Sequence, residues 1–246
     1  MKKVLITVPV YNEEKCLAKS IKKIDTYLQQ TKFPYSYTIV IADNASIDNT
    51  PKIGKSLENS RIKYLRLERK GRGYALKKAW TDAQKSKYYA ACYMDVDLST
   101  DLKYIRPLID AIIQNKYDIA IGNRLGKHSK VIGRLVRREI LSRFYNLILK
   151  IVFFSSIADF QCGFKAVNLQ SFKKVVKEIE NNKWFFDTEL ILVACRHHMR
   201  IKPIDVKWVD DYDSRVKIVS TVSEYLSAII RIRLKFWREI FVKRKS

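Results

Sequence analysis

The stretch YYAACYMDVD, residues 88–97, places Asp95 and Asp97 directly after an uninterrupted apolar run. A short apolar run that is rich in aromatic residues predicts a buried β-strand. Open α/β sheets bind ligands at the carboxyl ends of their strands, so the two aspartates would lie at such a site. Two carboxylates at this spacing can hold one hard divalent cation, and the cation can hold a diphosphate. An isolated D-x-D is more often a pair of solvated loop residues, so this hypothesis depends on the rest of the sequence.

Strand and helix signals alternate through the first half of the chain. Strands are predicted at residues 4–8, 38–42, 62–67, 88–94 and 119–122, and helices at 14–29, 73–85 and 101–115. A further helix start is predicted at residues 48–51, where Thr50 can cap the helix and Pro51 suits its first position. This alternation predicts an α/β, Rossmann-like fold whose mostly parallel sheet is flanked by helices on both faces.

Two basic amphipathic segments follow in the second half. The first, residues 134–154, has one apolar helix face that gathers Val136, Ile140, Leu141, Phe144, Ile148, Ile151 and Val152. The second, residues 219–242, gathers Val222, Tyr225, Leu226, Ile229, Ile232, Phe236, Trp237 and Ile240 opposite Arg231, Lys235 and Arg238. Such helices can lie in a membrane interface with their cations on lipid phosphates, or can simply pack on the domain. We predict one domain over residues 1–217 and a basic, membrane-interfacial C-terminal helix over residues 218–246.

The composition favours an anionic partner. The 246 residues carry a formal net charge of +23, and 47% of them are hydrophobic. This hydrophobic content supports a sizeable core, whereas the charge is compatible with nucleic acid, acidic lipid or a phosphorylated substrate. A nucleic-acid-binding protein is the alternative from another functional class. The sequence shows no helix-turn-helix, zinc-finger or RNP-type motif, so we predict no nucleic-acid partner.

The cysteine pattern and the hydropathy bear on the location of the protein. Cys16, Cys92, Cys162 and Cys195 are scattered and form no C-x-x-C pair. A zinc site or a disulfide framework is therefore not expected, and a reducing compartment is favoured. The apolar stretch after Lys3 is too short for a signal peptide, and no run approaches the roughly 18 apolar residues that span a bilayer. We predict a protein that lies on the cytoplasmic face of a membrane without a transmembrane helix.

Polar or glycine-containing segments also follow the other early strands. The stretch PVYNE, residues 9–13, follows the first strand, residues 43–50 follow the second, and Gly71-Arg72-Gly73 follows the third. Parallel neighbours end at the same edge of a sheet, so these segments are expected to converge with Asp95 at one crevice. Glycines let the backbone approach a ligand closely, and a helix N-terminus favours anions. The glycine-containing loop is therefore a candidate to face a diphosphate.

Taken in order along the chain, these motifs resemble the signature of glycosyltransferase family 2, which has the GT-A fold. The matching residues are Pro9, Tyr11, Asn12 and Glu13, then Asp43, Asp48 and Thr50, then Gly71, Arg72, Gly73 and Ala75, and finally Asp95 and Asp97. Later segments resemble the polyprenyl-phosphate hexose synthases of that family. These segments are Gly122-Asn123-Arg124, Arg138-x-x-x-Ser142, residues 159–165 and 184–190, Val206-x-Trp208, and Ser214-Arg215-Val216. The resemblance spans roughly residues 4–217, and segments 159–165 and 187–190 are more similar to dolichyl-phosphate glucose synthases than to the mannose enzymes.

The resemblance implies a role for each matching residue. A nucleotide-sugar donor would be bound by Pro9, Tyr11, Glu13, Asp43, Gly71, Arg72, Gly73 and Asp95, with Asp43 at the base. Asp95 and Asp97 would hold Mg²⁺ or Mn²⁺, with Asp97 as the principal ligand. The mannose enzymes often carry a glutamine where Ser99 stands here, so water is expected to complete the coordination.

The acceptor phosphate would be held by Arg124, Arg138, Ser142 and Arg215. Residues four apart share one helix face, and an arginine fork beside a hydroxyl suits a phosphate monoester, which supports Arg138 and Ser142 on physical grounds. The membrane surface would be a further partner, because the lipid tail of such an acceptor stays in the bilayer. The oligomeric state does not follow from the sequence.

The predicted reaction is the inverting transfer of a hexose, with UDP-glucose favoured as the donor, to dolichyl or polyprenyl phosphate. A phosphomonoester has a second pKa of about 6, so this acceptor is largely ionised at neutral pH and needs little activation. The catalytic candidates are Asp97, Arg124, Asp187 and Glu189. Asp187 and Glu189 stand where the wider family often has a general base, but here we expect them to orient the sugar or the arginines. GDP-mannose as the donor and a saccharide hydroxyl as the acceptor remain alternatives.

Overall fold

The protein is described by a computed structural model, which covers the backbone of residues 1–210 and 218–243 and the side chains of residues 1–210 and 223–238. The strands are β1 (Lys3–Val10), β2 (Ser36–Asn44), β3 (Ile62–Leu67), β4 (Ala90–Met94), β5 (Ile119–Asn123), β6 (Lys130–Ile132), β7 (Phe164–Asn168), β8 (Ile201–Asp205) and β9 (Lys207–Val209). The helices are α1 (Leu17–Gln30), α2 (Thr50–Ser56), α3 (Arg72–Lys85), α4 (Ile105–Ile113), α5 (Val136–Phe153), α6 (Leu169–Val175), α7 (Phe186–Arg196) and α8 (Ile218–Lys243). Two short 3-10 turns, Leu102–Tyr104 and Val176–Glu178, accompany α4 and α6.

Over the described residues the main sheet has the strand order β3-β2-β1-β4-β7-β5-β8. Strand β1 pairs in parallel with β2 and β4, and the pairs β2–β3 and β5–β8 are also parallel. Strand β7 runs antiparallel to both of its neighbours, β4 and β5. The predicted mostly parallel sheet is confirmed. Strands β7 and β8 were not predicted, because Lys165 interrupts the first and Lys202-Pro203 the second, and proline is tolerated in β8 as an edge strand.

The two faces of the sheet are covered by different helices. Successive side chains of a strand point to opposite faces, so Ile6 of β1 packs in one buried cluster and Leu5 in the other. The first cluster includes α1 and α4, and the second includes α3 and α7. Helices therefore lie on both faces, as the alternation of elements predicts.

A small second sheet pairs β6 with β9 in parallel, with Lys130 opposite Lys207. It follows directly on β5 and β8, because the backbone N–H of Val206 donates to the carbonyl of Asn123. This sheet places Trp208 beside Arg124, which follows β5, and Asp210 beside Arg138 at the start of α5.

Helix α8 packs on the domain through part of its predicted apolar face. Ile229 and Ile232 are buried in the same cluster as α3 and α7. The Tyr225 ring lies 5.3 Å from that of Phe185, and the Phe236 ring lies 6.0 Å from that of Phe153 on α5. The predicted apolar face also included Leu226 and Trp237, but these two side chains are 46% and 55% exposed. The predicted boundary at residues 217/218 touches residues outside the described part of the chain and stays a prediction.

Helix α5 is apolar on two sides, whereas the sequence pattern predicts a single apolar face. Ile148, Leu149 and Val152 pack towards the core. On the other side five large apolar side chains are exposed along one line, at spacings of three or four residues: Val136, Ile140, Phe144, Leu147 and Ile151. We call this line the α5 stripe. Among the described residues, no helix combines the length and the apolar character needed to cross a bilayer.

Candidate active site

The carboxyl ends of β1, β2 and β4 meet at one edge of the main sheet, which we call the rim. Val10 is paired with Asp43, and Thr7 is paired with Tyr93, so the ends of the three strands lie side by side. The structure therefore brings Asp43, Asp95 and Asp97 to the same edge, as the parallel topology predicts.

Asp95 and Asp97 differ in their environment. Asp97 is exposed, and its Oδ1 accepts a hydrogen bond of 2.9 Å from the backbone N–H of Ser99. Asp95 is half-buried, and its Oδ1 accepts one of 2.8 Å from the Arg72 guanidinium. Burial raises the pKa of Asp95 to about 6, because Arg72 offsets only part of the desolvation and the charge of Asp97 adds to the rise. Each carboxylate retains acceptor capacity for a cation.

A buried network of charges lies beneath Asp95. Arg72 bridges two acids, with its second guanidinium nitrogen 3.0 Å from Asp187 Oδ2. The Lys165 ammonium, which is completely buried, donates to Asp187 Oδ1 at 2.8 Å, and the Tyr93 hydroxyl donates to the same oxygen. Two cations, Arg72 and Lys165, thus balance two anions, the buried Asp187 and the half-buried Asp95. Asp187 is held by three donors, which fixes the position of Arg72 below Asp95.

Glycines give the space that this network needs. A Cβ added at Gly163, in the loop before β7, would lie 1.8 Å from Asp95 Oδ2. Gly71 has a φ of 144°, and a Cβ there would lie 2.4 Å from the carbonyl of Asn182. A Cβ added at Gly73 would likewise lie 2.5 Å from the Cβ of Phe186. The loop that opens α3 can therefore lie against the segment before α7 only because both positions are glycine.

Asp43 is fully buried at the end of β2 with three donors around its carboxylate. Tyr64 donates to Oδ2 at 2.6 Å, Arg66 donates to the same oxygen at 2.9 Å, and the Ser46 backbone N–H donates to Oδ1. Burial and the neighbouring carboxylate raise the pKa of Tyr64. These three donors fix the orientation of the Asp43 carboxylate.

The loop after β1 lies directly on the loop after β2. Pro9 is paired with Ala42, and the backbone N–H of Glu13 donates to Thr50 Oγ1 at 2.8 Å. The Lys70 ammonium lies 4.6 Å from the centre of the Tyr11 ring, which joins this loop to the loop before α3. Pro9, Tyr11 and Glu13 are therefore gathered at the rim with Asp43 and Gly71.

Arg124 follows β5 at the same rim and is held by a buried acid. Its guanidinium makes a two-point contact with Asp159, at 2.7 and 2.9 Å, and lies 4.9 Å from the centre of the Trp208 ring. Burial alone would lower the pKa of Arg124, but Asp159 raises it well above its usual value, and the charge of Asp95 acts in the same direction. Arg124 therefore lies within electrostatic range of Asp95.

Two more arginines from the start of α5 extend this positive region. Arg138 donates to Asp210 at 2.8 Å, and Arg134 donates to Glu139 at 3.0 Å. Burial lowers the pKa of Arg134, and the nearby charge of Arg124 lowers it further. We call Arg124, Arg134 and Arg138 the arginine cluster. Ser142 is half-buried one turn after Arg138 on α5, whereas Arg215 lies outside the described residues.

Glu189 forms its hydrogen bonds on a different side of α7 from Asp187. Its carboxylate accepts hydrogen bonds from the backbone N–H of Asn181 at 2.6 Å and from Arg231 of α8 at 2.9 Å. Residues two apart on a helix do not face the same way, so Glu189 and Asp187 serve different surroundings. The structure thus places the predicted catalytic candidate Glu189 against α8, and places Asp187 beneath the rim.

Sequence reasoning assigned no role to four residues of this region: Lys165, Asp159, Gly163 and Arg134. The first three stood in the segment that carried the family resemblance, but their partners lie far away in the chain. Arg134 lies in a run of basic residues, and the sequence pattern did not distinguish it from the other arginines as a site residue. Its Nε is buried and, in the part of the chain that the structure describes, has no hydrogen-bond acceptor.

The residues present fit a hard divalent cation with few protein ligands. Among the described residues, no group of three or more His, Cys, Asp or Glu side chains forms a metal centre. Mg²⁺ is usually bound by one or two carboxylates together with water and substrate phosphates, rather than by an all-protein cage. Asp95 and Asp97 supply two such carboxylates at the open rim.

The fold and the enzyme class follow from comparison with known proteins. Glucosyl-3-phosphoglycerate synthase from Mycobacterium tuberculosis, solved in complex with Mn²⁺, uridine diphosphate and glucosyl-3-phosphoglycerate, superposes with a TM-score of 0.70 at 12% identity over 94% of this chain and 80% of that chain. This likeness shows the fold, and the protein is a glycosyltransferase with the predicted GT-A architecture. The sequence profile of glycosyl transferase family 2 matches residues 5–176, so the chain belongs to that family.

Curated relatives cover most of the chain. Glycosyltransferase AglD of Haloferax volcanii is 30% identical over 93% of this chain, which spans 36% of that protein. The dolichyl-phosphate beta-glucosyltransferase of Dictyostelium discoideum is 26% identical over 94% of this chain and 74% of its own length. The Saccharomyces cerevisiae protein of the same name is 25% identical, covering 98% of this chain and 77% of its own.

Proposed function

We propose that this protein transfers a hexose, with glucose from UDP-glucose favoured, to dolichyl or polyprenyl phosphate with inversion at the anomeric carbon. The observation that carries the proposal is the proximity of two unlike sites. The carboxylates of the rim suit a cation-bound diphosphate, and the arginine cluster suits a phosphate monoester. Asp159, which pairs with Arg124, and Gly163, which lies against Asp95, belong to one short stretch of chain, so the two sites lie close together. The dolichyl-phosphate glucosyltransferases among the relatives favour this acceptor and sugar.

The donor would lie along the rim. By the family resemblance the base would lie at Asp43, whose buried carboxylate would hold the Tyr64 and Arg66 side chains in place there. Pro9, Tyr11 and Glu13 would line the nucleoside side, and Gly71-Arg72-Gly73 would let the diphosphate approach the N-terminus of α3. Arg72 already balances Asp95 and Asp187, so its role would be to fix the carboxylate rather than to bind the sugar.

Mg²⁺ or Mn²⁺ bound by Asp95 and Asp97 would supply positive charge to the departing diphosphate. The hydrogen bond from the Ser99 backbone N–H fixes the orientation of the Asp97 carboxylate, and the hydrogen bond from Arg72 fixes that of the Asp95 carboxylate. Gly163 leaves the second oxygen of Asp95 unobstructed.

The acceptor phosphate would bind at the arginine cluster together with Ser142 and, by the family resemblance, Arg215. Arg124 is already paired with Asp159, so it would act as a fixed charge beside the reacting phosphate. Arg134 and Arg138, which pair with Glu139 and Asp210, would each direct part of the guanidinium group towards the dianion. The acceptor oxygen is already ionised, so the reaction needs no proton removal.

Asp187 fits a structural role better than that of a general base. A base must reach the proton that it takes, so at least one of its oxygens must be open to the substrate. Asp187 is 1% exposed and accepts from Arg72, Lys165 and Tyr93. We therefore assign it to holding Arg72, and we assign Glu189 to holding α8 through Arg231.

The α5 stripe would bring the arginine cluster to the lipid headgroups. Arg138 of the cluster lies in the first turn of α5, the helix that carries the stripe. Apolar side chains at headgroup depth beside cations are typical of interfacial helices. We propose a peripheral location on the cytoplasmic face, because the free cysteines suit a reducing compartment.

The test is transfer to lipid. The purified chain is incubated with Mn²⁺ or Mg²⁺, a polyprenyl phosphate, and a panel of radiolabelled UDP- and GDP-sugars, and label is followed into the organic phase. We expect UDP-glucose to give the highest rate, and NMR to show a β-linked product. Label only in a water-soluble saccharide, or no transfer with any donor, would contradict the proposal. Faster transfer from GDP-mannose would reassign the sugar.

A further inference from the structure

A cavity of about 520 Å³ lies where the end of α5, helix α7 and helix α8 meet. Its walls are mostly apolar and include Ile157, Leu192 and Phe236. Two arginines, Arg196 and Arg233, also line it, and no carboxylate of the described residues does. The volume falls in the range of about 300–1,000 Å³ that is usual for ligand pockets.

The two arginines are held against aromatic walls of the cavity. The Arg196 guanidinium lies 4.5 Å from the centre of the Phe236 ring, and that of Arg233 lies 5.8 Å from the centre of the Phe154 ring. A guanidinium on an aromatic face keeps its edge N–H groups able to donate to a phosphate. The cavity therefore combines an apolar body with positive charge, and its chemistry suits an anionic amphiphile.

The cavity adjoins the α5 stripe. Phe154 lines the cavity, follows the last residue of α5, and is 86% exposed. Ile151, one turn earlier, is the last member of the stripe and is 63% exposed. A lipid in the cavity would thus be continuous with the membrane that the stripe is proposed to contact.

The cavity is separate from the site proposed for the acceptor. Arg138 lies near the start of α5 and Phe154 follows its end, a separation of about 24 Å at 1.5 Å per residue. None of the lining residues belongs to the rim or to the arginine cluster. A ligand here would leave both sites free for their own ligands.

We propose that this cavity binds one anionic membrane phospholipid, with an acyl chain among the apolar walls and the phosphate between Arg196 and Arg233. The inference rests on the membrane association in the proposed function. A lipid held at this end of α5, together with an acceptor held at the other end, would fix the orientation of the enzyme on the bilayer.

Native mass spectrometry of the full chain tests the proposal. The protein is purified in a mild detergent with equal amounts of palmitoyl-oleoyl phosphatidylglycerol and phosphatidylcholine, and the lipid that it retains is identified. We expect a single phosphatidylglycerol on the wild type and a bound fraction reduced by about tenfold in Arg196→Gln/Arg233→Gln, since each arginine gives a charge-assisted contact. Arg233→Gln alone, at a half-exposed position, should give an intermediate loss and keeps the test valid if the double variant does not fold.

Lys173→Gln/Lys174→Gln is the matched control, because it removes the same charge from exposed positions on α6 that do not line the cavity. The control should retain phosphatidylglycerol as the wild type does. Equal retention of phosphatidylcholine, equal loss in the control, or no lipid on the wild type would overturn the proposal. Glucose transfer to polyprenyl phosphate, assayed in detergent without phospholipid, tests the proposed function separately, so the failure of one is distinguishable from the failure of the other.

Discussion

At the scale of single residues, Asp97 is the carboxylate on which the proposed donor site depends most. It is exposed at the rim, and its carboxylate is oriented by one backbone N–H. Asp97→Asn keeps the shape but removes the charge, so we expect kcat/KM to fall by about 100-fold or more, as it does when a group that stabilises charge in the transition state is removed. Asp82→Asn, an exposed change on α3, is the control and should retain full activity.

Calorimetry with UDP and Mn²⁺ distinguishes the cause of this loss. Asp97→Asn should weaken Mn²⁺-dependent UDP binding, while the melting temperature stays close to that of the wild type. Unchanged metal-dependent binding in the variant would contradict a ligand role for Asp97.

For Asp187 we expect a loss of stability rather than a complete loss of activity, because its buried carboxylate accepts hydrogen bonds from Arg72, Lys165 and Tyr93. Asp187→Asn removes one charge from a balanced network, so we expect the free energy of unfolding to fall by about 3 kcal/mol or more. Turnover should remain measurable, at about a tenth of the wild-type kcat or above, since general-base catalysis usually contributes 10²–10⁴-fold. Steady-state kinetics well below the melting temperature check this. A total loss of kcat with normal UDP binding would instead identify Asp187 as a base.

At the scale of elements, the Arg124–Asp159 pair joins the end of β5 to the loop before β7. Although burial opposes it, Arg124 lowers the pKa of Asp159 to about 2 from a usual value of 3.8. A carboxyl whose folded pKa is lowered contributes stability above its unfolded pKa and loses it as the pH falls through the folded pKa. Urea unfolding should therefore show a loss of about 2 kcal/mol between about pH 4 and pH 2 that Asp159→Asn lacks. Asp82→Asn should keep the wild-type slope, and an identical slope in both variants would contradict the assignment.

The α5 stripe is the element whose role is most directly tested by membrane binding. Ile140→Asp/Phe144→Asp places charge on two exposed side chains that contribute to no buried cluster. Each apolar side chain buried in an interface contributes on the order of 1–2 kcal/mol, so vesicle flotation should fall by about tenfold or more. Ile47→Asp, at an 81% exposed position in a loop, is the control and should float normally. Normal flotation of the stripe variant would exclude the stripe as the membrane contact.

The elements also show what the sequence could predict. Strands β1 to β5 and helices α1, α3 and α4 have strong apolar periodicity and turn signals and lie close to their predicted bounds, and α2 begins at its predicted start. Strands β7 and β8 are short and carry lysine or proline, so local pattern could not separate them from loops. The division of α5 into a packed side and an exposed stripe depends on which neighbours cover it, and periodicity does not contain that information.

The candidate site was predictable where residues follow parallel strands, because topology alone brings Asp43, Asp95 and Asp97 to one edge. The ion pairs around the site were not predictable. Arg72 and Asp187, like Arg124 and Asp159, are distant in sequence and come together only in the folded structure. The roles themselves rest on the family resemblance and on the proposals made above.

At the scale of the whole molecule, a net charge of +23 should dominate the first encounter with a membrane. Long-range attraction to anionic lipid is screened at high ionic strength, where the Debye length falls to about 3 Å at 1 M salt. We expect binding to vesicles containing phosphatidylserine to weaken progressively with added NaCl, and binding to neutral vesicles to be weak throughout. Co-sedimentation over a salt series measures this. Equal binding to both kinds of vesicle at all salt concentrations would show that charge is not what recruits the protein.

Strand β7 runs antiparallel to its neighbours, and its direction decides which of its flanking residues lie at the rim. Because β7 is antiparallel to β4 and β5, the residues that precede it lie at the rim, and the residues that follow it lie at the opposite edge. Here the short stretch 159–163 begins with the counter-ion of Arg124 and ends with the glycine that makes room for Asp95. A shift of this one stretch would displace Arg124 and Asp95 together, so it would couple the proposed acceptor site to the proposed donor site.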